Sequence, residues 1–276
     1  MNLTTSILAL AVALTSLLQS NVIAQEATDK WRYSLSNPTP QELWRPMSAD
    51  RPDFTESPIT VDAGAVQIEM SLADYTKNGD SNSFGIALTN LKIGLLNNTD
   101  IQFVYDPYVK QDDGVTTTDG GGDMQIRLKI NFWGNDGGDT AFGIMPFVKI
   151  PTASEGLGND KVEGGVIFPW GTELASGVGL GLMFEVDFNF DTATQEYDTD
   201  FIGTGVLGFD LNDQWGWYLE GINMFSSDSG IDYRFILGVG ATYAVNENFT
   251  WDAGVNFGLS GEVDDTIFFT GITVRW

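Results

Sequence analysis

The chain of 276 residues contains neither cysteine nor histidine. Without cysteine there are no disulfides and no thiolate metal sites. Without histidine there are no Ser-His or Cys-His nucleophile pairs, no imidazole general base and no imidazole metal ligand. These absences exclude histidine-dependent hydrolases, and we expect a protein that is not an enzyme and has no metal and no cofactor.

Basic residues are scarce as well. The 13 Lys and Arg stand against 38 Asp and Glu, so the formal net charge is -25. Such an acidic chain is repelled by phosphate backbones and by anionic membrane surfaces, and we predict no nucleic-acid partner. The simplest interpretation of the acidity is that exposed loops are kept soluble.

Long hydrophobic runs are missing apart from residues 7–18. This run is shorter than the roughly 20 residues that a membrane-spanning helix needs. It is followed by Val22-Ile23-Ala24, a small-residue cleavage pattern. We therefore predict that residues 1–24 are a secretory signal peptide, although no Lys or Arg precedes the apolar run.

What the sequence does contain is strict alternation. In residues 123–151, apolar side chains occupy every second position on both sides of a glycine-rich turn at 134–138. A strand, and not a helix, sorts this pattern onto two faces, so the stretch predicts a β-hairpin. The apolar face could pack on a second sheet in a soluble sandwich, or could contact lipid in an outer-membrane barrel.

The rest of the chain favours the barrel. Residues 178–190 place seven large apolar side chains on one face, more than a sandwich strand of about 5 to 6 residues would bury. Short turns also alternate with longer acidic connections such as 107–122 and 151–162, the pattern of an outer-membrane barrel. Tryptophans fall near predicted strand ends, where an aromatic girdle would lie: Trp133, Trp170, Trp215 and Trp251.

We therefore predict an all-β fold. It is an up-and-down antiparallel transmembrane β-barrel of about 12 strands that covers residues 64–276, with both termini in the periplasm. Its location would be the outer membrane of a Gram-negative bacterium, with outer-membrane lipid as a partner. A slip in parity predicts a bulge at Asn90 to Leu91, and Pro146, which has no N–H, predicts a bulge or a strand end.

Residues 25–63 have no sustained periodicity and contain five prolines. We expect an extended N-terminal segment that lies in the periplasm or is inserted into the lumen. Its charged motif Arg51-Pro52-Asp53-Phe54-Thr55-Glu56 could cap or thread the barrel, with Arg51, Asp53 and Glu56 pairing with groups in the lumen. The alternative is a poorly ordered periplasmic tail.

The chain ends on Gly271, Val274 and Trp276, at the spacing of the C-terminal signal that the barrel-assembly machinery reads. This similarity predicts the machinery as a partner, although Phe269 stands where a polar residue is usual.

The chain also resembles the outer-membrane transporter family named for the MetA pathway of phenol degradation. The resemblance rests on residues 49–58 running into 62–69, and on the stretches 91–95, 122–152 and 251–276. It implies a barrel associated with the passage of small compounds, with aromatic compounds among the candidates.

Inward positions of the predicted strands carry charges of both signs. The basic positions are Lys92, Arg127, Lys129, Lys149, Arg234 and Arg275, and the acidic positions are Glu69, Glu185, Asp187 and Asp252. A Lys or Arg facing lipid at the midplane would cost roughly 2–4 kcal/mol, so these residues point inward.

Two functions remain open for these inward charges. They could form a field across the lumen that orients a polar or anionic small-molecule solute during passive or gated passage. They could instead be a salt-bridged filling of a non-conducting structural or adhesive barrel that acts through its acidic outer loops.

Overall fold

The computed structural model describes residues 29–228, 233–260 and 263–276, and the predicted signal peptide lies outside them. Two short 3-10 helices, Lys30–Arg32 and Gln41–Leu43, precede fifteen β-segments in the described residues. These segments are β1 Val66–Asn78, β2 Ser81–Ile86, β3 Leu88–Leu96, β4 Thr99–Tyr105, β5 Tyr108–Asp112, β6 Thr117–Gly120, β7 Met124–Trp133, β8 Thr140–Ile150, β9 Glu163–Ala175, β10 Val178–Asp191, β11 Glu196–Asp210, β12 Trp215–Ser226, β13 Arg234–Asn246, β14 Phe249–Ser260 and β15 Thr266–Arg275. No helix among the described residues is long and apolar enough to cross a membrane.

The segments form one closed antiparallel barrel. Three pairs, β2 with β3, β4 with β5 and β6 with β7, each continue one another, so the wall has twelve strands. Each wall strand pairs with its neighbours in the chain, and β15 pairs with β1 from Gln67↔Arg275 to Lys77↔Thr266 to close the wall. The predicted up-and-down barrel of about 12 strands is confirmed, and a sandwich of two sheets is excluded.

Side chains alternate across the wall as the sequence pattern predicts. On β10, Leu182, Phe184 and Phe188 face outward and are 43%, 47% and 50% exposed. The inward residues between them, Met183 and Glu185, are buried. A wall that presents its large apolar side chains outward is stable where lipid, and not water, surrounds it.

Aromatic pairs mark both ends of this outward face. At one end Trp133 lies 4.9 Å from Phe142 and Trp215 lies 4.8 Å from Tyr243, measured between ring centroids. At the other end Phe190 lies 5.2 Å from Tyr197. Such rings occupy the two membrane–water interfaces of barrels.

The two ends of the barrel differ in their connections. One end, here the turn end, carries the connections 97–98, 134–139, 176–177, 211–214 and 247–248. The opposite end, here the loop end, includes the long connection 151–162. The predicted loop 107–122 was partly wrong, because β5 and β6 form a hairpin there that extends the wall; its apolar residues are too few for the alternation to show.

The structure differs from both predicted strand irregularities, the bulge at Asn90 to Leu91 and the bulge or strand end at Pro146. The slip in parity occurs at Ala87, whose φ of 60° is left-handed, and not at Asn90 to Leu91. Pro146 neither bulges nor ends β8, so that prediction was wrong. The pairing of β7 with β8 keeps one register from Arg127↔Phe147 to Ile130↔Ile144 and only lacks the pairs between them. A missing N–H therefore removes ladder bonds locally without shifting the strand.

The interior is not uniformly polar. Five inward side chains on neighbouring strands form a buried apolar cluster: Met145, Ile167, Met183, Ile202 and Ile222. Sequence alternation did not predict this cluster, because these residues sit among apolar residues on both faces of β8 to β12. The apolar cluster thus lies on the side of β8 to β12, where Glu185 and Glu220 are also buried, and the buried lysines lie on the side of β3 and β7.

The outward orientation predicts the effect of a charge in the middle of β10. In a lipid bilayer, Phe184→Arg should lower the free energy of unfolding by roughly 2–4 kcal/mol, because the guanidinium would face acyl chains. Guanidinium-induced unfolding in liposomes, followed by tryptophan fluorescence, measures this change. Val115→Arg, at a position 90% exposed in the loop that joins β5 to β6, is the control and should change it by less than about 0.5 kcal/mol. Equal effects of the two substitutions would contradict a lipid-facing β10.

Candidate functional site: a charged segment inside the barrel

The N-terminal segment, residues 29–63, makes polar contacts with strands on all sides of the barrel. Asp50 contacts Lys92 on β3 and Lys129 on β7. Further along the segment, Arg51 contacts Asp252 on β14, and Thr55 contacts Thr204 on β11. A segment that contacts inward side chains of these four strands at once must lie in the lumen that the wall encloses.

Asp50 is the centre of the contacts. Its carboxylate pairs with the Lys129 ammonium at 2.7 Å and with the Lys92 ammonium, and it also accepts the Ser57 backbone N–H at 2.8 Å. Lys92 in turn pairs with Glu69, whose carboxylate accepts the backbone N–H of Asp50 at 3.1 Å. All these side chains are nearly inaccessible to solvent. The buried charges are tolerable because each has a partner of opposite sign.

The environment of the segment shifts the pKa values of two carboxyl groups in opposite directions. Burial alone would raise the pKa of Asp50, but the charges of Lys129 and Lys92 outweigh burial and lower it. At Asp53, burial, followed by the negative charge of Glu220, raises the pKa well above the ordinary value of 3.8. Asp50 is therefore deprotonated at neutral pH, whereas Asp53 binds a proton more readily than an ordinary aspartate does.

Arg51 crosses the lumen to the wall opposite β7. Its Nη2 donates to Oδ1 of Asp252 at 2.7 Å, and its Nε donates to Oδ2 at 3.1 Å. The guanidinium also lies over the Phe269 ring and fills the space beside Gly271, where a Cβ would be 2.3 Å from Nη2. Glycine at position 271 is thus what lets Arg51 reach β14.

The Glu56 side chain extends towards β7, away from the wall that Arg51 contacts. Its Oε1 accepts from Nη1 of Arg127 at 2.7 Å, and its Oε2 lies 3.7 Å from the Lys129 ammonium. Its backbone N–H donates to the Met183 sulfur at 3.4 Å. Glu56 therefore lies where the charged side of the lumen meets the apolar cluster.

Glu220 on β12 is a functional residue that the sequence analysis missed. Its carboxylate accepts the backbone N–H groups of Phe54 at 2.8 Å and Thr55 at 2.7 Å, together with the Thr55 hydroxyl. The signal in the sequence is its place between the outward residues Leu219 and Gly221, since alternation along β12 turns a residue at position 220 inward. Asp50 was missed for another reason, since it lies in the irregular segment where no pattern assigns a face.

A second group of ion pairs holds the segment at the turn end. The Lys30 ammonium pairs with Asp62 at 2.7 Å and Asp136 at 3.0 Å, and Arg45 pairs with Asp136 at 3.0 Å. The Arg275 guanidinium donates to the Arg45 carbonyl at 2.9 Å. Arg275 is thus near the segment but distant from Asp50.

Three of the predicted inward residues lie towards the loop end: Lys149, Arg234 and Asp187. Lys149 pairs with Asp123 at 3.1 Å and also with Glu163, and Arg234 pairs with Asp200 at 3.3 Å. Asp187 and Glu185 follow one another on the inward face of β10. The structure therefore brings together Glu69, Lys92, Arg127 and Lys129 around the segment, with Asp252 joined through Arg51, and leaves Lys149, Arg234 and Arg275 outside this group.

Two cavities flank the segment. A turn-side cavity of about 630 Å³ lies between residues 47–59 of the segment and the inner wall of β8 to β13. A loop-side cavity of about 200 Å³ lies between the segment and β3, β4 and β7. The described residues contain no group of three or more carboxylates that could hold a metal ion. The two cavities are therefore large enough to admit a small molecule beside charged side chains.

Comparison with known proteins gives one family. The profile of the family described as "Putative MetA-pathway of phenol degradation" matches residues 49–276, which is most of the chain. A search of curated proteins found no match.

Solved structures with the same fold are outer-membrane channels. The COG4313 outer membrane channel from Pseudomonas putida F1 has a TM-score of 0.60 and 10% identity over 83% of this chain and 100% of that one. The NanC porin has a TM-score of 0.53 and 9% identity over 76% of this chain and 98% of that one. With the apolar outer wall, this fold places the chain in the outer membrane of a Gram-negative bacterium.

The ion pairs of Asp50 predict a large effect of neutralising it. Asp50→Asn would leave Lys92 and Lys129 partly uncompensated in a buried site and should destabilise the inserted segment by about 3–5 kcal/mol. Protease cleavage within residues 38–60, measured in detergent against time, reports this loss as faster cutting. The matched control is Asp119→Asn, at an exposed position on β6, which should cut at the wild-type rate. Slow cutting of both variants would show that Asp50 does not hold the segment.

Proposed function

Since this chain belongs to the MetA-pathway phenol-degradation family, we propose that its barrel conducts small molecules across the outer membrane by passive, gated passage. The carrying observation is that the lumen retains a cavity on each side of the N-terminal segment. A barrel that served only as a filled support would need no such space. We assign the turn end to the periplasmic side, because short turns face the periplasm in such barrels and both Lys30 and Trp276 lie at this end.

The size and lining of the turn-side cavity suit a solute that contains one ring. Its volume of about 630 Å³ falls within the range of small-molecule sites, about 300–1,000 Å³. Glycines form much of its wall, and a Cβ at Gly179 or Gly208 would meet nothing within 4 Å. Pro52, Pro58 and Tyr218 add flat apolar surfaces to the lining. A planar aromatic molecule suits such a slot.

Charge in the same cavity favours neutral solutes over anions. Among the described residues in its lining, Arg51 is the one basic side chain, and Asp252 already neutralises it. Three carboxylates of the lining, those of Asp139, Glu173 and Asp210, form no ion pair among the described residues. We therefore propose that uncharged aromatic molecules are preferred over anionic ones.

The ion pairs of the segment supply the gate. Asp50, Arg51 and Glu56 join the segment to wall residues on several strands, so the passage is narrow while these pairs persist. Any rearrangement that weakens these ion pairs widens the passage.

A second candidate is a non-conducting structural barrel that acts through its outer loops. The specific observation in its favour is that each predicted inward basic residue has an acidic or carbonyl partner, which leaves no uncompensated cation to act on a solute. Exposed Asp113 and Asp119 at the loop end would supply its acidic surface.

Conductance in planar bilayers separates the two candidates. The double variant Arg127→Ala, Lys129→Ala removes the wall partners of Glu56 and one of the two lysines on Asp50. It should conduct several times more current than the wild type, because the segment is held less tightly.

The control for that measurement is Lys149→Ala, a basic residue whose partners Asp123 and Glu163 lie away from the segment. It should conduct as the wild type does. Absence of current from the wild type and the double variant alike would reject passage and favour the non-conducting barrel.

Block of the ionic current tests the class of solute. Phenol added on the side of the turn end should reduce the current of the double variant at lower concentration than benzoate, which is of similar size but anionic and is repelled by the cavity carboxylates. An equal or stronger block by benzoate would contradict the preference for uncharged rings. Asp210→Asn, which removes one of these carboxylates, should narrow the difference between the two solutes.

A further inference from the structure

We propose that Arg51 and Glu56 form the filter of the passage, a partition one layer of side chains thick that decides which charges cross. This inference rests on the proposed function and adds to it the residues that determine selectivity and the way in which the path opens.

The two cavities locate the partition. The turn-side cavity is lined by residues 47–49, 51–53 and 55–59 of the segment, and the loop-side cavity by Asp50, Arg51 and Glu56. Arg51 and Glu56 are the residues common to both linings. At these two positions, therefore, a single layer of side chains separates one cavity from the other.

The two residues reach opposite parts of the wall. Arg51 meets Asp252 on β14 through two hydrogen bonds, at 2.7 and 3.1 Å, while Glu56 meets Arg127 on β7 at 2.7 Å. Between β7 and β14 lie several wall strands in either direction around the barrel. The pair thus spans the lumen from side to side, with the backbone of the segment between.

The rest of the segment is fixed independently of these two contacts. At the turn end it is held by the pairs of Lys30 with Asp62 and Asp136, and at its end Gly64 donates to the Gly94 carbonyl at 2.8 Å. In the middle, the Thr55 hydroxyl lies 2.6 Å from that of Thr204. A segment fastened at both ends and in its middle is not free to leave, so side-chain movement at the partition is the shorter way to join the cavities.

In the two ion pairs the segment and the wall carry opposite charges: the segment supplies the cation in Arg51–Asp252 and the anion in Glu56–Arg127. Removing the charge of Glu56 leaves the Arg127 guanidinium without its carboxylate partner at the loop side of the partition. Removing the charge of Arg51 leaves the Asp252 carboxylate without its guanidinium. The partition therefore predicts that the two substitutions shift charge selectivity in opposite directions, which a merely structural role would not do.

The test measures the reversal potential of single variants in bilayers under a potassium chloride gradient. Burial and the charge of Asp50 raise the pKa of Glu56 to about 7, so measurement at pH 8.5 keeps the wild-type carboxylate charged. Glu56→Gln should shift the reversal potential towards anion selectivity, and Arg51→Met should shift it towards cation selectivity. Both should conduct more than the wild type. Lys30→Met, which loosens the segment only at the turn end, is the matched control and should keep the wild-type reversal potential.

A disulfide lock distinguishes the partition from departure of the whole segment. The chain has no cysteine, so Thr55→Cys with Thr204→Cys introduces the only thiols, and the present hydroxyl contact places them within reach of a bond. Glu56→Gln and Arg51→Met are each measured in this background, oxidised and reduced. The opposite shifts should be the same in both states. Retention of heat-modifiable migration on gels verifies that each variant is folded.

The outcomes separate the two proposals. Opposite shifts that survive oxidation support the filter. Shifts of one sign, no shift in conducting protein, or current only after reduction overturn the filter and leave passage through the barrel intact. Absence of current from every variant, in both redox states, overturns the proposed passage and the filter with it.

Discussion

The structure depends on one electrostatic constraint, which is that a charge enclosed by a narrow barrel must have a counter-charge within contact distance. Lys92 and Lys129 on the wall cannot face lipid, and water is excluded from where they lie. The Asp50 carboxylate between them meets this requirement, and Glu69 then aligns the segment by accepting its backbone N–H groups. The wall and the segment are therefore electrostatically incomplete without each other, which explains why a chain with so few basic residues places several of them inside.

The interior has two unlike halves, and their boundary is where the segment lies. On one side are the charged residues of β1, β3 and β7, and on the other the apolar cluster around Met183. The segment contacts both sides, since the Glu56 carboxylate accepts from Arg127 while the Glu56 backbone N–H donates to the Met183 sulfur. The lumen beside the segment is therefore bordered by buried ion pairs on one flank and, on the other, by the apolar cluster together with carboxylates such as that of Glu220.

Much of the wall follows from the sequence, whereas most of the site does not. Alternation in residues such as Leu182 and Phe184 predicts strands, their outward faces and the closure of twelve of them, because a period of two is a local property that lipid enforces. It also predicts that Lys92, Arg127 and Lys129 avoid lipid. It cannot predict partners, since Glu220 meets Thr55 across 165 positions in the chain. The slip at Ala87 and the continuity of β8 through Pro146 depend on the conformations of neighbouring strands, which no local pattern records.

The seam between β1 and β15 has a consequence for the stability of the barrel. The last strand contributes Arg275, which binds the Arg45 carbonyl, and the first contributes Glu69, which binds the backbone beside Asp50. At the same seam the Val66 N–H donates to the Trp276 carbonyl at 2.9 Å. Both strands of the seam thus bind the N-terminal segment, so the closure of the barrel and the position of the segment stabilise each other. A substitution at Arg45 or Asp50 that weakens these contacts therefore also weakens the seam.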